Sequence, residues 1–257
     1  MEQSLATSQI FNADCLEKMK DLDDDSVDLI FCDLPYGQTS CKWDCCIDLE
    51  LFWIEVMRIK KLNTPIFFTT TTKFGVSLIQ SAPKKCFFRY DLVWVKSAPA
   101  GFLSAKKMPM RKHEMIYVFY EKLPFYDLSS HKHKFLKDEV NDKYTYQQDK
   151  EKDLYGTDIR KEVRTGKGVG KSPIYDPPLP NSMLEIKSTR GKHSTEKPVA
   201  LMSWILKYYS KEGDVVLDPT MGSGSTGVAC KEMNRNFIGI EMDKDIFKVA
   251  EERLHLK

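Results

Sequence analysis

A glycine-rich segment with the sequence DPTMGSGSTG, Asp218 to Gly227, constrains the fold of this 257-residue chain more than any other feature. It follows a strand-like apolar run, Asp214 to Leu217, and precedes a helical pattern that begins near Ser225. Glycines at such a strand-to-helix turn let a ligand approach the backbone and the helix N-terminus. Glu241 ends the next strand-like run, where an acid can accept both hydroxyls of a ribose. The segment therefore predicts a site for an adenosine-containing cofactor.

The glycine spacing alone leaves the kind of cofactor open. Gly222, Gly224 and Gly227 satisfy the G-x-G-x-x-G pattern of dinucleotide-binding folds. A dinucleotide fold in the conventional order needs further strands after this unit, and only sixteen residues follow Glu241. We therefore rank an NAD-dependent oxidoreductase last among the functions considered.

Strand-like runs alternate with helical patterns along both flanks of the chain, and this predicts an α/β fold with a doubly wound, mostly parallel sheet. The expected strands are Ser8 to Asn12, Val27 to Cys32, Ile66 to Thr70, Asp91 to Val95, Met115 to Tyr120, Asp214 to Leu217 and Phe237 to Glu241. The expected helices are Cys15 to Lys20, Leu49 to Lys61, Pro198 to Tyr209, Lys244 to Leu254 and one that begins near Ser225.

Residues 121–190 differ in composition from the flanks. They are polar, rich in lysine and tyrosine, and contain Gly166, Gly168 and Gly170 followed by four prolines. We expect a loop-rich, partly flexible insertion that lies outside the sheet. Residues 1–120 and 191–257 then form the main domain.

The charge is unevenly distributed. Residues 1–58 carry 4 basic and 13 acidic side chains, so their net charge is −9, and the remainder carries +11 to give the total of +2. Basic residues on flexible backbone suit a phosphate-lined partner, although they are also typical of a solvated face. The basic clusters comprise Lys106, Lys107, Arg111 and Lys112, and, among glycines, Arg160, Lys161, Arg164, Lys167 and Lys171.

The cysteines and histidines give no convincing metal pattern. Seven cysteines are an odd number in a chain for which we expect no export signal, and this argues against a disulfide framework. Cys41, Cys45 and Cys46 lack a matched second pair, so we expect solvated reduced thiols, with His131 and His133 at the surface and no metal. No apolar stretch approaches the roughly 20 residues of a membrane span, and we expect a cytoplasmic protein with no membrane partner.

A second segment, Asp33-Leu-Pro-Tyr36, contains residues that could take part in catalysis. It follows the expected strand Val27 to Cys32, whose apolar sequence is typical of a buried strand. The carboxyl ends of strands carry the ligands in open α/β sheets, so an acid, a proline and an aromatic residue there point to a site. A strand-terminating turn is the alternative interpretation, because aspartate and proline are common turn residues.

Three segments in their order along the chain resemble the amino-methylating DNA methyltransferases of the β group. They are Asp33-Leu-Pro-Tyr36, His193-Ser-Thr-Glu-Lys197-Pro198 and Asp218-Pro-x-x-Gly-Ser-Gly224, and the resemblance covers roughly residues 8–120 and 190–257. It implies a Rossmann-like class I methyltransferase fold with circularly permuted motifs, in which the N-terminal strand Ser8 to Asn12 completes the cofactor half. It also implies S-adenosylmethionine as cofactor, double-stranded DNA as partner and an exocyclic base nitrogen as acceptor.

The resemblance assigns the catalytic roles to Asp33, Leu34, Pro35 and Tyr36. The Asp33 carboxylate and the Leu34 carbonyl would accept hydrogen bonds from the target amine, Pro35 would stiffen the turn, and Tyr36 would stack on a flipped base. Leu34 stands where the family usually has proline, but only its carbonyl is required. Aspartate rather than serine at position 33 favours the N6 amine of adenine, and an N4-cytosine enzyme is the alternative.

The resemblance also implies the ligand contacts. Asp14 would bind the adenine, with an N-cap as its alternative role; Glu241 would bind the ribose, and Lys197 with Ser194 or Thr195 would lie near the methionine carboxylate. The basic clusters would contact DNA phosphates, whereas Trp94 is expected in the core. The remaining cofactor contacts are expected from the turn itself, at Asp218, Thr220, Gly222, Ser223, Gly224 and Ser225.

We therefore predict a site-specific adenine-N6 DNA methyltransferase with residues 121–190 as its target-recognition region. The alternative from another class of function is a DNA-binding subunit with the same fold and no catalytic activity. Such a subunit would be expected to have lost Asp33, Tyr36 or the glycines, and all of them are present here. RNA and protein acceptors are also known for similar motifs, usually with asparagine in place of Asp33. The resemblance allows a homodimer and a cognate restriction endonuclease as partners.

Overall fold

The computed structural model describes residues 6–35, 47–134, 151–152, 158–159, 174–188 and 196–255. The chain divides into two compact units. The first comprises Met1–Asp127 and Asn181–Lys257, and the second comprises Leu128–Pro180.

Six helices and twelve strands are present in the described residues. The helices are α1 (Cys15–Met19), α2 (Leu49–Ile59), α3 (Thr72–Ser81), α4 (Val199–Tyr209), α5 (Ser225–Glu232) and α6 (Lys244–His255). The strands are β1 (Ser8–Asn12), β2 (Leu29–Cys32), β3 (Ile66–Thr70), β4 (Phe87–Ala100), β5 (Arg111–Tyr120), β6 (Lys132–Lys134), β7 (Glu151–Lys152), β8 (Asp158–Ile159), β9 (Ile174–Asp176), β10 (Met183–Leu184), β11 (Val215–Asp218) and β12 (Asn236–Glu241).

The first unit contains a sheet in the order β1-β12-β11-β2-β3-β5-β4-β10. The first five strands in this order are parallel, β5 is antiparallel to both β3 and β4, and β10 is parallel to β4. The predicted doubly wound, mostly parallel α/β fold is confirmed. We call the edge formed by the carboxyl ends of β1, β12, β11, β2 and β3 the carboxyl edge, and the other edge the opposite edge.

The N-terminal strand pairs with the last strand of the chain, as predicted. Ser8 lies beside Phe237 and Asn12 beside Glu241 in a parallel register. The cofactor half of the sheet, β1-β12-β11, is therefore built from both ends of the sequence. The strand order reverses between β11 and β2, and open α/β sheets bind ligands at such a switch point.

Apolar strands and aromatic rings form the core below the carboxyl edge. Every residue of β2 and β3 is buried, because strands covered on both faces take continuous apolar sequences. Phe52 and Trp53 of α2 pack edge-on against Phe68 of β3, with ring centroids 6.0 and 5.5 Å from it, and Phe119 of β5 lies 5.5 Å from Phe68. This packing gives the strand ends that carry the site a rigid support.

Two sequence predictions are wrong in this part of the molecule. Residues 121–190 do not lie wholly outside the sheet, because Met183 and Leu184 pair with Val93 and Trp94 of β4. A two-residue strand has no periodicity that sequence analysis could detect. His131 is buried rather than at the surface, and its ring nitrogen Nδ1 lies 2.8 Å from the Pro177 carbonyl oxygen, which satisfies it in the buried position.

The remaining predictions concern Trp94, the clustered cysteines, metal ligands and membrane spans. Trp94 is buried, as expected, and its indole N–H donates to the Ile186 carbonyl at 2.8 Å. Cys41, Cys45 and Cys46 lie outside the described residues. Within the described ranges no cluster of ligating side chains could hold a metal ion, and no helix is long and apolar enough to cross a membrane.

Candidate active site

The carboxyl edge brings together polar side chains from five neighbouring strands. These strands are parallel, so the residues at or just after their ends meet at one edge of the sheet. The side chains are those of Asp14 after β1, Glu241 on β12, Asp218 on β11, Asp33 after β2 and Thr69 on β3.

The turn between β11 and α5 has the open backbone that the glycines predicted. Gly222 and Gly224 have φ angles of 53° and 81°, in the left-handed region that favours glycine. The buried Asp218 carboxylate holds the turn together by accepting the Thr226 hydroxyl at 2.6 Å and the Thr220 N–H at 3.2 Å. Asp218 thus fixes the conformation of the turn from the buried side.

Burial also changes the protonation of Asp218. It raises the pKa of this carboxyl to about 7, although the Thr226 hydroxyl and the Thr220 N–H favour the charged form. The nearby carboxylates of Asp33 and Glu241 raise the pKa further. Asp218 is therefore a carboxyl whose charge changes near neutral pH.

Glu241 is fixed beside the glycine turn. One of its carboxylate oxygens accepts the Gly222 N–H at 3.0 Å, and the other accepts the Asp243 N–H at 2.8 Å. Burial raises the pKa of this carboxyl, and the two N–H groups limit the rise. The Asn12 side chain donates to the Glu241 carbonyl at 2.8 Å and links the end of β1 to the same place.

Asp14 is exposed and caps the first helix. Its carboxylate accepts the N–H groups of Leu16 and Glu17 at 2.8 and 3.3 Å. The N-cap role that the sequence analysis left open is therefore present. A contact between Asp14 and an adenine stays a prediction.

Asp33 is held by side chains from two other parts of the chain. One carboxylate oxygen accepts a short hydrogen bond from the Thr69 hydroxyl, and the other accepts the Lys197 ammonium at 2.6 Å. The Leu34 side chain is buried, which fixes the backbone immediately after Asp33, and Pro35 follows it at the strand end. The Asp33 carboxylate therefore has a defined orientation at the carboxyl edge.

Lys197 joins Asp33 to a second carboxylate. Its ammonium lies 3.2 Å from Glu114 of β5, and the other Glu114 oxygen lies 2.5 Å from the ammonium of Lys96 on β4. Burial lowers the pKa of Lys197, but the carboxylates of Asp33 and Glu114 raise it by more, so that it stands above its ordinary value. Lys197 is therefore a cation held between the carboxylates of Asp33 and Glu114, and its contact with the methionine carboxylate stays a prediction.

The serines of the turn contact a helix and the segment before α4. The Arg253 guanidinium of α6 lies 3.2 Å from the Ser223 hydroxyl and 3.3 Å from that of Ser225. Arg253 also forms an ion pair with Glu196 at 2.8 Å, and Ser225 donates to Glu196 at 3.3 Å. These contacts tie the residue before Lys197 to the glycine turn.

Several predicted site residues lie on the hairpin between β4 and β5, and others fall outside the described part of the chain. Lys106, Lys107, Arg111 and Lys112 are described and exposed, in or next to the loop between β4 and β5. The predicted residues outside the described ranges are Tyr36, Ser194, Thr195, Arg164, Lys167 and Lys171.

The sequence analysis did not assign roles to Thr69, Glu196 or Arg253, and it did not predict the contacts that Lys96 and Glu114 make. Thr69 could have been found, because a hydroxyl at the end of an apolar strand lies at the ligand-binding edge. Glu114 had a weaker signal, since β5 is antiparallel and it is the start of this strand that lies at the carboxyl edge. Arg253 lies in α6, far along the chain from its partners, and no local pattern marks it.

Comparison of the sequence with known families gives one match over most of the chain. The N6/N4 methyltransferase family model, described as DNA methylase, matches residues 27–252. The type II methyltransferase M.HinfI of Haemophilus influenzae is 29% identical over 274 aligned residues, which cover 95% of this chain and 67% of that protein. The type II methyltransferase M2.LlaDCHI of Lactococcus lactis subsp. cremoris is 25% identical, with 96% and 88% coverage.

Solved structures agree with the fold. The crystal structure of an M1.HpyAVI–SAM complex has a TM-score of 0.62 and 25% identity, and the match covers 96% of this chain and all of that one. The cytosine-N4-specific PvuII DNA methyltransferase has a TM-score of 0.66 with 97% and 87% coverage. Its identity is only 14%, so this second likeness concerns the fold alone.

Proposed function

This chain belongs to the N6/N4 DNA methylase family, and we propose that it methylates the N6 amine of an adenine flipped out of duplex DNA at a specific sequence. The observation that carries the proposal is the orientation of the Asp33 carboxylate. Thr69 and Lys197 hold it at the carboxyl edge, directly after β2. Strand β2 is the neighbour of β11, and the glycine turn follows β11. A target amine and a methyl donor can meet at this place.

S-adenosylmethionine is the cofactor of this chain, and the described residues fit it. The Thr220 hydroxyl is buried and has no hydrogen-bond partner in the described part of the chain. A Cβ built on Gly222 would meet nothing within 4 Å, so the backbone there is open to a ligand. Glu241, which accepts the Gly222 N–H, is then the group that would hold the ribose hydroxyls.

The chemistry requires an activated amine. The exocyclic amine of adenine is a poor nucleophile because its lone pair is delocalised into the ring. When bound, S-adenosylmethionine would supply an electrophilic methyl group, and as the nitrogen–carbon bond forms the sulfur would leave as a neutral thioether with the electron pair of the broken sulfur–carbon bond. The methylated amine would then release one proton. The Asp33 carboxylate and the Leu34 carbonyl would each accept a hydrogen bond from the amine, which draws the nitrogen toward tetrahedral geometry and directs its lone pair at the methyl group.

The surrounding residues position these acceptors. Pro35 restricts the backbone that aims the Leu34 carbonyl. Lys197 and Thr69 fix the Asp33 carboxylate, so that it need not reorient during the reaction. Tyr36 would stack on the flipped base, as the family resemblance implies, and it lies outside the described residues. The choice of adenine rests on aspartate at position 33.

The proposal is tested by product analysis. The chain is incubated with S-adenosylmethionine and unmethylated duplex DNA, and the DNA is digested to nucleosides for mass spectrometry. We expect N6-methyladenine. N4-methylcytosine would keep the mechanism and overturn the choice of base, and cofactor binding without any methylated nucleoside would favour the DNA-binding subunit with no catalytic activity.

The matched variant for this experiment is Asp33→Ala. It removes the acceptor for the target amine and leaves the cofactor half of the sheet unchanged. We expect no methylated nucleoside, with an affinity for S-adenosylmethionine within a few-fold of the wild type by calorimetry. Retained turnover in Asp33→Ala would show that another group activates the amine.

The proposal also covers the target-recognition region, a cognate nuclease, the oligomeric state and the location in the cell. Residues 121–190 would carry target recognition, with Arg164, Lys167 and Lys171 on DNA phosphates. The type II relatives support a cognate restriction endonuclease, and we expect plasmid DNA from cells that express the chain to resist that nuclease. A homodimer and a cytoplasmic location complete the proposal, and sedimentation of the purified chain tests the first.

A further inference from the structure

Large apolar side chains are exposed in the loop between β4 and β5, which we call the hairpin tip (residues 101–110). Phe102 is 82% exposed and Leu103 99% exposed, and both lie in a single turn of 3-10 helix, Phe102–Ser104, that follows Gly101. Met108 and Met110 are also exposed in the same loop. A contiguous group of exposed apolar side chains on a loop is typical of an interaction surface.

The hairpin tip projects from the carboxyl edge. Thr70, the last residue of β3, pairs with Met115 of β5, so residues 111–114 of β5 extend past the end of β3. Ala100 of β4 pairs with Arg111 at the root of the tip. The three residue steps from Glu114 to Arg111 span about 10 Å at the rise of a strand, and the tip begins beyond them.

The root of the hairpin is fastened to the Asp33 site. Lys96 on β4 and Glu114 on β5 form an ion pair at 2.5 Å, Glu114 contacts Lys197, and Lys197 contacts Asp33. The position of the tip is therefore set relative to the place where the target amine must lie. A duplex whose target base reaches Asp33 would therefore lie within reach of this hairpin.

The charge of the hairpin suits the phosphates of that duplex. Residues 97–113 contain four basic side chains and no acidic one. The basic side chains of Lys106, Lys107, Arg111 and Lys112 are exposed around the apolar tip. Proteins that deform DNA combine basic contacts to the backbone with apolar side chains inserted between base steps.

We propose that Phe102 and Leu103 form an apolar wedge that enters the base stack beside the target adenine and stabilises the flipped state. This inference rests on the proposed function and adds the element that keeps the duplex open. The two side chains would fill the space that the flipped adenine leaves and stack on the bases that adjoined it, while Asp33 would bind the amine of the flipped adenine. A lipid surface or a second copy of the chain could also cover an apolar tip, but neither is linked to the Asp33 site.

The experiment first separates this inference from the proposed function. Plasmid DNA methylated by the wild-type chain is sequenced for modified bases, which maps the recognition site and tests the proposed function alone. Duplexes that carry the mapped site are then made with the target adenine intact, with 2-aminopurine in its place, or with a mismatch opposite it. Fluorescence of 2-aminopurine reports flipping, and methyl incorporation reports turnover.

The test variant is Phe102→Ala/Leu103→Ala, and the matched control is Leu123→Ala. Leu123 is 76% exposed and follows β5 at the opposite edge. We expect the double variant to lose most of the fluorescence rise and to methylate the matched duplex roughly tenfold more slowly or worse. A mismatch opposite the target should restore most of the rate, because that base is already unpaired. Leu123→Ala should behave as the wild type.

Other results would overturn the wedge. Wild-type flipping and turnover in the double variant would exclude it, as would an equal loss on matched and mismatched duplexes, which would indicate a general binding defect. A change from dimer to monomer in sedimentation, with flipping intact, would assign the tip to an interface between copies. Unchanged S-adenosylmethionine binding in the double variant shows that the chain is folded.

Discussion

Asp33 is held by groups from distant parts of the chain, and this arrangement assigns a role to Lys197. The Lys197 ammonium is shared between Asp33 at 2.6 Å and Glu114 at 3.2 Å, and its side chain is largely buried. Removing one member of a buried charge group leaves its partners uncompensated, which typically costs about 3–5 kcal/mol. Lys197 is therefore a positioning residue for the carboxylate that meets the amine.

Replacement of Lys197 separates this role from a contact with the methionine carboxylate of the cofactor. We expect Lys197→Met to lower kcat by roughly 10- to 100-fold through misorientation of Asp33, with little change in the affinity for S-adenosylmethionine. Lys197→Arg should recover part of kcat, because it restores the charge. Single-turnover methylation and calorimetry measure the two quantities.

The control for Lys197→Met is Lys60→Met. Lys60 is another buried lysine, paired with Glu121 at 3.0 Å, and it lies outside the carboxyl edge. Its loss should lower the free energy of unfolding without a specific loss of kcat. A large rise in the cofactor dissociation constant of Lys197→Met, with kcat unchanged, would instead place Lys197 on the cofactor.

Asp218 should make the stability of the chain depend on pH. Its pKa is about 7 in the folded state and 3.8 in the reference state, so folding favours the protonated form. The contribution of Asp218 to stability is therefore largest at low pH and is lost as the pH rises through about 7. Asparagine cannot ionise and lacks this dependence.

The measurement compares Asp218→Asn with the wild type by chemical denaturation. The free energy of unfolding of the wild type, minus that of the variant, should fall by about 3 kcal/mol between pH 5 and pH 8. A difference that stays constant over this range would show that Asp218 is ionised throughout. Working with the difference removes the contributions of titrating groups that do not interact with Asp218.

Local sequence patterns predicted part of the site and missed the part that depends on distant contacts. The glycine turn and Asp33 are recognisable because each lies in one short segment directly after an apolar strand. The ion pair between Lys197 and Asp33 joins residues 164 positions apart, and its partner Glu114 lies on an antiparallel strand. Such pairs appear only when the strand order is known.

At the scale of elements, the sequence predicted five of the six helices and seven of the twelve strands in the described residues, and the missed strands, β6 to β10, have only two or three residues each. Helix α3 was missed, since Gly75 within it and β-branched residues nearby weaken the helical pattern. The structure gives the reason for this glycine, because the Tyr117 ring occupies the space that a Cβ at position 75 would need. A packing requirement therefore overrides the local propensity.

The hairpin between β4 and β5 was predicted only at its buried part. The expected strand Asp91 to Val95 is in fact Phe87 to Ala100, and β5 begins four residues earlier than expected, at Arg111. The added residues are mostly exposed, so they lack the apolar alternation that marks a half-buried strand. This extension carries the basic residues away from the core.

The lysines of this hairpin should determine how DNA binding depends on salt. We expect Lys106→Ala/Lys107→Ala to weaken binding to all duplex sequences alike and to reduce the slope of log K against log salt concentration by about 2. Fluorescence anisotropy at several salt concentrations measures this slope. The matched control is Lys84→Ala/Lys85→Ala, an exposed pair before β4 at the opposite edge. An unchanged slope in the first variant would remove these lysines from the DNA contact.

At the scale of the whole molecule, the site draws on both flanks of the sequence and the second unit interrupts the first. The change in composition at residues 121–190 predicted such an interruption, but the compact unit is Leu128–Pro180. The flanking residues stay with the first unit because of backbone contacts: the Asp127 N–H donates to the Tyr208 carbonyl, and the Ser182 carbonyl accepts the Val93 N–H, both at 2.8 Å. Composition does not record these contacts, so it could not fix the boundaries.

This division predicts that cofactor binding and target recognition can be separated. We expect a variant in which a flexible glycine-serine linker replaces Leu128–Pro180 to unfold cooperatively, because the sheet and its backbone anchors at Asp127 and Ser182 are retained. It should bind S-adenosylmethionine within a few-fold of the intact chain, since the glycine turn and Glu241 lie in the first unit. Methylation of the mapped sequence should be lost.

Calorimetry measures cofactor binding by the shortened chain, and modified-base sequencing of plasmid DNA measures its methylation. The negative control for methylation is Asp33→Ala in the same shortened chain. If the shortened chain still methylated the mapped sequence, recognition would have to come from the first unit, and the hairpin tip would be the first element to test. If it bound no cofactor, the second unit would be needed for the fold of the first. Retained cofactor binding with loss of sequence-specific methylation would place the chemistry in the first unit and the choice of target in the second.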